Sequence, residues 1–149
     1  MTTILLLSLL GAVISAIIGT FWYSPVTPMG RLHMKTIGFD AMSPEEQKKS
    51  IEEMKPKMWK YYVAQLTLAF IMSFSVVYTV MVSMYDGASF TAAIIFPVFN
   101  WLCFMVPAFG TAILWGNIDR NLAWKEFFSN ILSHLFTILV IAFVVSLFV

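Results

Sequence analysis

The chain has 149 residues, of which 60% are hydrophobic and 11% are charged, and its net charge is +1. An ordinary soluble domain carries about a quarter charged residues, so this composition argues against a soluble globular protein. The near-neutral charge gives no sign of a nucleic-acid partner, and a single cysteine, Cys103, excludes an internal disulfide.

Four long apolar runs dominate the sequence, and crossing a bilayer takes about 20 apolar residues. Backbone polar groups in hydrocarbon must bond within their own segment, so we expect each run to be helical. The first run lacks a basic flank and a cleavage signal, which predicts a retained helix. The predicted spans are 4–22, 59–85, 89–115 and 125–149, with a first loop over 23–58. We therefore predict an all-α integral membrane protein in which residues 1–149 form one four-helix bundle domain.

The first predicted helix carries small residues at four-residue spacing: Gly11, Ser15 and Gly19. Small residues at this spacing let two helix backbones approach closely, so we predict a packing face. The spacing leaves open whether that contact lies within one chain or between chains.

The first loop contains two helix-start signals. Ser43-Pro44-Glu45-Glu46 has the pattern of a capping box and predicts a helix from residue 44 to about residue 54. Thr27-Pro28 predicts a second short helix, which Gly38 would end. We expect one or two short cytoplasmic or interfacial helices in this loop.

The helix that follows Thr27 would present Arg31 and Lys35 on a shared basic face, because they are four residues apart. Such a helix is typical of an interfacial segment that lies against anionic lipid. A short helix packed under the bundle explains the same pattern equally well.

All nine Lys and Arg residues are predicted to fall on one side of the membrane. Basic flanks stay in the cytoplasm, so loops one and three would be cytoplasmic and both termini would face outward from the cell membrane. The basic residues are Arg31, Lys35, Lys48, Lys49, Lys55, Lys57, Lys60, Arg120 and Lys125.

The last helix carries a polar stripe of Glu126, Asn130, His134 and Thr137, at spacings of four, four and three. Residues at these spacings share one helix face. His134 lies about nine residues into the predicted helix, roughly 13–14 Å deep at the helical rise. Ionisable residues at such depth indicate a functional site by default, so we predict a ligand-binding stripe. The alternative is a neutral histidine that bonds to a neighbouring helix.

Asn100 is the expected partner of His134 on the third helix. Pro97 and Pro107 flank it, and each proline removes one helical hydrogen bond. Transporters often bind substrate at helices that are interrupted near the membrane centre. We predict that Asn100 and His134 touch, although prolines also occur in ordinary membrane helices.

Enzyme signatures are absent from the sequence. There is no zinc-protease histidine motif and no glycine-rich phosphate loop, and no nucleophile stands at a recognisable spacing from a base. His33 and His134 are predicted to lie at different depths, which argues against a shared metal site. We therefore predict a non-enzyme with no catalytic residue, metal or cofactor.

A family resemblance is carried by the segment GTFWYSP at 19–25, followed by Gly30. A membrane helix that ends in Trp-Tyr-Ser-Pro, with a glycine five residues on, resembles the domain-of-unknown-function 1761 family of short bacterial four-helix membrane proteins. The segments 101–107 and 130–134 are similar to that family's third and last helices. The resemblance covers essentially the whole chain, with one departure at 26–29, where Val-Thr-Pro-Met replaces a more aliphatic or aromatic stretch.

The resemblance implies the same topology but no activity, because the family has none assigned. It directs attention to an interfacial motif that consists of Trp22, Tyr23, Ser24, Pro25 and Gly30. We expect the two aromatic residues to anchor this helix end at the headgroups, the proline to stop or bend the chain, and Ser24 to cap the next turn. A lipid or ligand site at this end is the alternative to a structural anchor.

Three functions are compatible with the sequence, and all of them place the protein among membrane lipids. The first is a homo-oligomeric transport protein or a small-molecule- or lipid-binding protein with a polar site at the membrane centre. The second is a structural or accessory subunit of a larger membrane complex. The third, ranked last, is a lipid enzyme that uses His33, Arg31 and Lys35. No carboxylate is clearly placed beside them, and Asp40 is the nearest candidate.

Overall fold

The computed structural model describes residues 1–87, 89–114 and 119–148, and over these residues the chain is all-helical without a strand. This confirms the predicted all-α class. Within the described part, four helical stretches are long and apolar enough to cross a membrane, judged by length and composition. They are Thr2–Trp22, Pro44–Tyr85, Phe90–Leu114 and Arg120–Ser146.

The helices follow one another with short connections. They are α1 (Thr2–Trp22), α2 (Pro28–Thr36), α3 (Pro44–Met54), α4 (Met58–Tyr85), α5 (Phe90–Asn100), α6 (Val106–Leu114) and α7 (Arg120–Ser146). Two 3₁₀ turns, Phe39–Ala41 and Lys55–Lys57, lie in the first loop, and a π-helical segment, Trp101–Met105, joins α5 to α6.

The last helix begins at Arg120, five residues before the predicted start at residue 125. Asp119 explains the difference, because its carboxylate accepts a hydrogen bond from the backbone N–H of Leu122 at 3.1 Å and so caps the helix. The helix ends at Ser146. The predicted ends at Trp115 and Val149, and residues 115–118 of the predicted third loop, lie outside the described residues.

The long helices run up and down in an antiparallel bundle. The middle of α1, at Gly11, meets Ser73 of α4 and Ile141 of α7, and the end of α1, at Trp22, meets Ser129 near the start of α7. Helix α7 contacts α1, α2, α4, α5 and α6, and it carries more buried residues than any other described helix. The functional candidates on α7 are therefore surrounded by the rest of the bundle.

The buried core consists mainly of small and β-branched residues, whereas large apolar side chains point outward. Val77, Val80 and Ile141 are fully buried, but Phe21 is 70% exposed and Phe104 is 71% exposed. In water these exposed apolar side chains would be unfavourable, whereas in a bilayer they would contact lipid tails. The small residues inside let the helix backbones approach closely.

Of the three residues predicted to form a packing face on α1, only Gly11 makes a close approach. A Cβ atom on Gly11 would lie 2.9 Å from the Ser73 hydroxyl oxygen, whereas a Cβ on Gly19 would meet nothing within 4 Å. Ser15 lines a cavity instead, as described below. The contact at Gly11 joins helices of one chain.

Both helix-start signals of the first loop are confirmed. Ser43 and Glu46 form the predicted capping box at the start of α3. Thr27 caps α2, since its hydroxyl accepts a hydrogen bond from the backbone N–H of Gly30 at 2.9 Å. The cap is therefore Thr27 rather than Ser24. Gly38 adopts a left-handed conformation with φ of 74° shortly after the end of α2.

Helix α2 packs against α7, and it keeps a polar face outward. Gly30 is buried, whereas Arg31 and Lys35 are both exposed. The helix is therefore docked on the bundle, as one of the two alternatives predicted, and its exposed basic face leaves contact with anionic lipid as a prediction.

Candidate functional site

A cavity of about 680 Å³ lies between α4 on one side and α5, the π segment and α6 on the other. Gln65 and Asn100 line it and are exposed, so the cavity opens to the outer surface of the bundle. We call it the main cavity. It is lined by Ser15, Gln65, Leu68, Ala69, Ile71, Met72, Ser75, Val76, Thr79, Pro97, Asn100, Trp101, Phe104, Met105, Phe109, His134 and Ile138.

Most walls of the main cavity are apolar, and a few polar side chains interrupt them. None of the side-chain hydrogen bonds among the described residues involves Gln65, Asn100 or His134. The indole N–H of Trp101 is buried without a partner in the same set of residues. The cavity wall therefore carries unused hydrogen-bonding capacity, which is the usual chemistry of a ligand site.

His134 is held at the cavity by an aromatic neighbour from α6. The rings of His134 and Phe109 have centroids 5.3 Å apart and are tilted by 31°. Asn100 lines the same cavity from α5, and no hydrogen bond joins it to His134 among the described residues. The two residues that the sequence paired thus share a cavity without a direct hydrogen bond.

The π segment begins directly after Asn100. Its widened turn closes with a hydrogen bond from the backbone N–H of Val106 to the carbonyl oxygen of Trp101. Pro107 has no N–H, so the carbonyl of Cys103 lacks its usual helical partner there, and a wider turn accommodates this loss. In the sequence, the two prolines indicated an interruption of the third helix, but they did not indicate that it would be a π-helical segment. Segments of this kind are frequent at functional sites.

A second cluster of polar side chains lies where α1 ends and α7 begins, and we call it the end cluster. His33 Nδ1 lies 2.8 Å from Glu126 Oε1, and the Tyr23 hydroxyl donates to Asn130 Oδ1 at 2.6 Å. The Trp22 indole N–H donates to the Ser129 hydroxyl oxygen at 3.1 Å. These bonds hold the end of α1 and the helix α2 against α7.

The interfacial motif needs glycine at position 30 for a steric reason. The Thr27 hydroxyl lies 2.7 Å from the carbonyl oxygen of Trp22 and 2.9 Å from that of Ser24, so the chain folds back tightly before α2. A Cβ atom on Gly30 would overlap the Ser24 carbonyl group. Pro25 lies in this turn and is exposed. The motif therefore builds the turn that docks α2.

Tyr23 acts as a hydrogen-bond donor in the end cluster. Burial raises the pKa of its hydroxyl above the usual value, the Ser133 hydroxyl lowers this pKa, and the Glu126 carboxylate raises it again. The net shift is upward, so the hydroxyl keeps its proton throughout the physiological pH range and the bond to Asn130 persists.

The polar stripe of α7 divides between different surroundings. Only His134 lines the main cavity. Glu126 and Asn130 line a smaller cavity of about 210 Å³ beside the end cluster. Thr137 is buried and donates to the carbonyl oxygen of Ser133, within its own helix. The four residues share one face of α7 but do not form one site, because residues at different positions along the helix meet different neighbouring helices.

The contact between His33 and Glu126 was not predicted. The two residues are 93 positions apart, and the sequence places no carboxylate clearly beside His33. The only available signal was that both residues belong to the same predicted end of the bundle. Among the described residues, no group of three His, Cys, Asp or Glu side chains is arranged to hold a metal ion.

The chain belongs to the family described as Protein of unknown function (DUF1761), whose family model matches residues 6–146. This confirms the predicted family. No curated protein and no solved structure matches the chain.

Proposed function

We propose that this protein binds an amphiphilic small molecule or lipid within the cell membrane, in the main cavity. The observation that carries the proposal is one cavity with apolar walls, an opening on the outer surface of the bundle, and two polar side chains, Asn100 and His134, that make no hydrogen bond within the described part of the chain. Its volume of about 680 Å³ lies within the usual range of small-molecule sites.

The position of the opening favours a ligand that arrives from the bilayer. An opening between α4 and α5 faces lipid when these helices span a membrane, so an apolar molecule enters without crossing water. An unpaired polar group in hydrocarbon costs on the order of 2–7 kcal/mol. A ligand that hydrogen-bonds to Asn100 and His134 removes part of this cost, whereas plain hydrocarbon does not.

We also propose the orientation and assembly that suit this role. The basic first loop would lie in the cytoplasm, because Lys and Arg are retained there. Four helices seldom enclose a pathway alone, so transport of the ligand would require a homo-oligomer. Because the main cavity opens on the outer surface of the bundle, a second copy of the chain could contact its opening in such an oligomer.

The test is ligand retention by variants of the two polar residues. Asn100→Leu and His134→Leu keep the helices apolar but remove the hydrogen-bonding groups. We expect native mass spectrometry of protein extracted gently from its membrane to show a bound amphiphile on the natural protein. Each variant should weaken binding about fivefold or more, since one hydrogen bond contributes roughly 1 kcal/mol or more.

Thr67→Val provides the matched control. Thr67 is exposed on α4 outside the main cavity, and its one hydroxyl hydrogen bond among the described residues goes to the carbonyl of Val63. This variant should retain the ligand as the natural protein does. Equal occupancy in all variants, or no retained amphiphile on the natural protein, would contradict the proposed function.

A further inference from the structure

We infer that the bound amphiphile carries an ammonium group, and that this group binds in the smaller cavity beside Glu126 and Asn130. The inference rests on the proposed function and names the ligand class. The smaller cavity has a volume of about 210 Å³, which suits a compact headgroup better than a whole lipid. Its walls come from α6 and α7: Phe109, Ala112, Ile113, Ala123, Glu126, Phe127 and Asn130.

The smaller cavity has two polar side chains: the Glu126 carboxylate, which only accepts, and the Asn130 amide, which has an acceptor oxygen and a donor nitrogen. Glu126 uses one carboxylate oxygen toward His33, and its other oxygen has no hydrogen bond among the described residues. Asn130 accepts from Tyr23 through Oδ1, and an amide oxygen has a second lone pair available. The contacts with His33 and Tyr23 also fix these two side chains in position. A ligand group in this cavity therefore meets a pre-positioned carboxylate.

The charge of this cavity favours a cation over an anion. Among the described residues, the walls other than Glu126 and Asn130 are apolar, so the carboxylate field is less screened than in water. Phe109 and Phe127 supply aromatic rings, whose faces attract cations. A carboxylate combined with aromatic rings recognises an ammonium group, whereas a phosphate or carboxylate headgroup would be repelled.

The smaller cavity adjoins the main cavity at a single side chain. Phe109 is the one described residue that lines both. Glu126 and His134 are eight residues apart on α7, which corresponds to about 12 Å along the helix. An amphiphile that starts at the ammonium group can extend past the Phe109 ring into the main cavity, where its chain would lie against the apolar walls and a further polar group on it would hydrogen-bond to Asn100 and His134.

The experiment compares three ligands of equal chain length on the protein in lipid nanodiscs: dodecylamine, dodecanol and dodecanoic acid. Binding is measured by native mass spectrometry at matched ligand concentrations. We expect the natural protein to prefer the amine about tenfold or more over the alcohol, because hydrogen bonds to charged groups are stronger than neutral ones. The acid should bind least.

Glu126→Gln keeps the size of the side chain and a hydrogen-bonding group for His33, but it removes the charge. It should abolish the preference for the amine over the alcohol. Glu52→Gln makes the same chemical change at an exposed position on α3 and should leave the preference intact. If Glu126→Gln fails to fold, Ala112→Phe, which fills the smaller cavity from α6, should remove the same preference.

The outcomes separate the two proposals. Equal binding of all three ligands to the natural protein, or an unchanged amine preference in a folded Glu126→Gln or Ala112→Phe variant, would overturn the ammonium site while the amphiphile cavity stands. Absence of binding by all three ligands would overturn both. Preference for the acid would also contradict the ammonium site.

Discussion

Replacing Gly30 with alanine is expected to destabilise the fold by about 3 kcal/mol, at the upper end of the usual cost of an inserted methyl group. The added Cβ would overlap the carbonyl group of Ser24. That neighbour is backbone, so no side-chain rotation relieves the overlap. Either the turn at 22–27 opens or α2 moves away from α7, and the contact between His33 and Glu126 is then lost.

Gly19→Ala is the control, because a Cβ there meets nothing within 4 Å. Alanine in a helix interior is more favourable than glycine by roughly 0.5–1 kcal/mol, so this variant should be unchanged or slightly more stable. Denaturant unfolding in detergent, followed by tryptophan fluorescence, measures both variants. If Gly30→Ala were as stable as the natural protein, the interfacial motif would not be the steric turn described above.

Replacing Ser75 with phenylalanine is expected to abolish retention of the amphiphile by filling the mouth of the main cavity. Ser75 lines the cavity from α4 and is exposed, so a larger side chain fits there without displacing the core. We expect occupancy to fall at least tenfold in native mass spectrometry, while unfolding in denaturant is unchanged within about 0.5 kcal/mol, as is usual for surface substitutions.

Val63→Phe is the matched control for this change. Val63 is exposed on the same helix but does not line the main cavity. It adds a similar apolar bulk at a position that faces outward, so ligand occupancy should be preserved. Loss of ligand in both variants would indicate a general effect of bulk on α4. Retention in both would show that the ligand does not occupy this cavity.

The helical architecture was predictable because its causes are local. Length and apolarity define the four candidate spans, and the caps at Thr27 and Ser43 are set by residues within one turn. The start of α7 was predicted too late, because the prediction relied on the apolar run and the helix begins before that run. The apolar run suggested residue 125, but the capping side chain is Asp119, and the first helical turns precede the run.

The candidate site was only partly predictable, because it depends on which helices meet. The sequence indicated Asn100 and His134, and the structure brings them to one cavity. The sequence also placed Glu126 on the same stripe as His134, but it did not show that Glu126 meets His33 on α2. Spacing on one helix defines a face, whereas the partner at each height depends on the packing of the whole bundle.

The most direct test of the central claim is photo-crosslinking with a fatty alcohol that carries a diazirine in its chain, added to the protein in nanodiscs. Labelled peptides are then mapped by mass spectrometry. We expect labelling concentrated on residues of the main cavity, such as Met72, Met105 and His134, and we expect Ser75→Phe to remove it. Labelling spread evenly over outward-facing residues such as Phe96 and Phe99, with none concentrated in the cavity, would contradict binding in the main cavity.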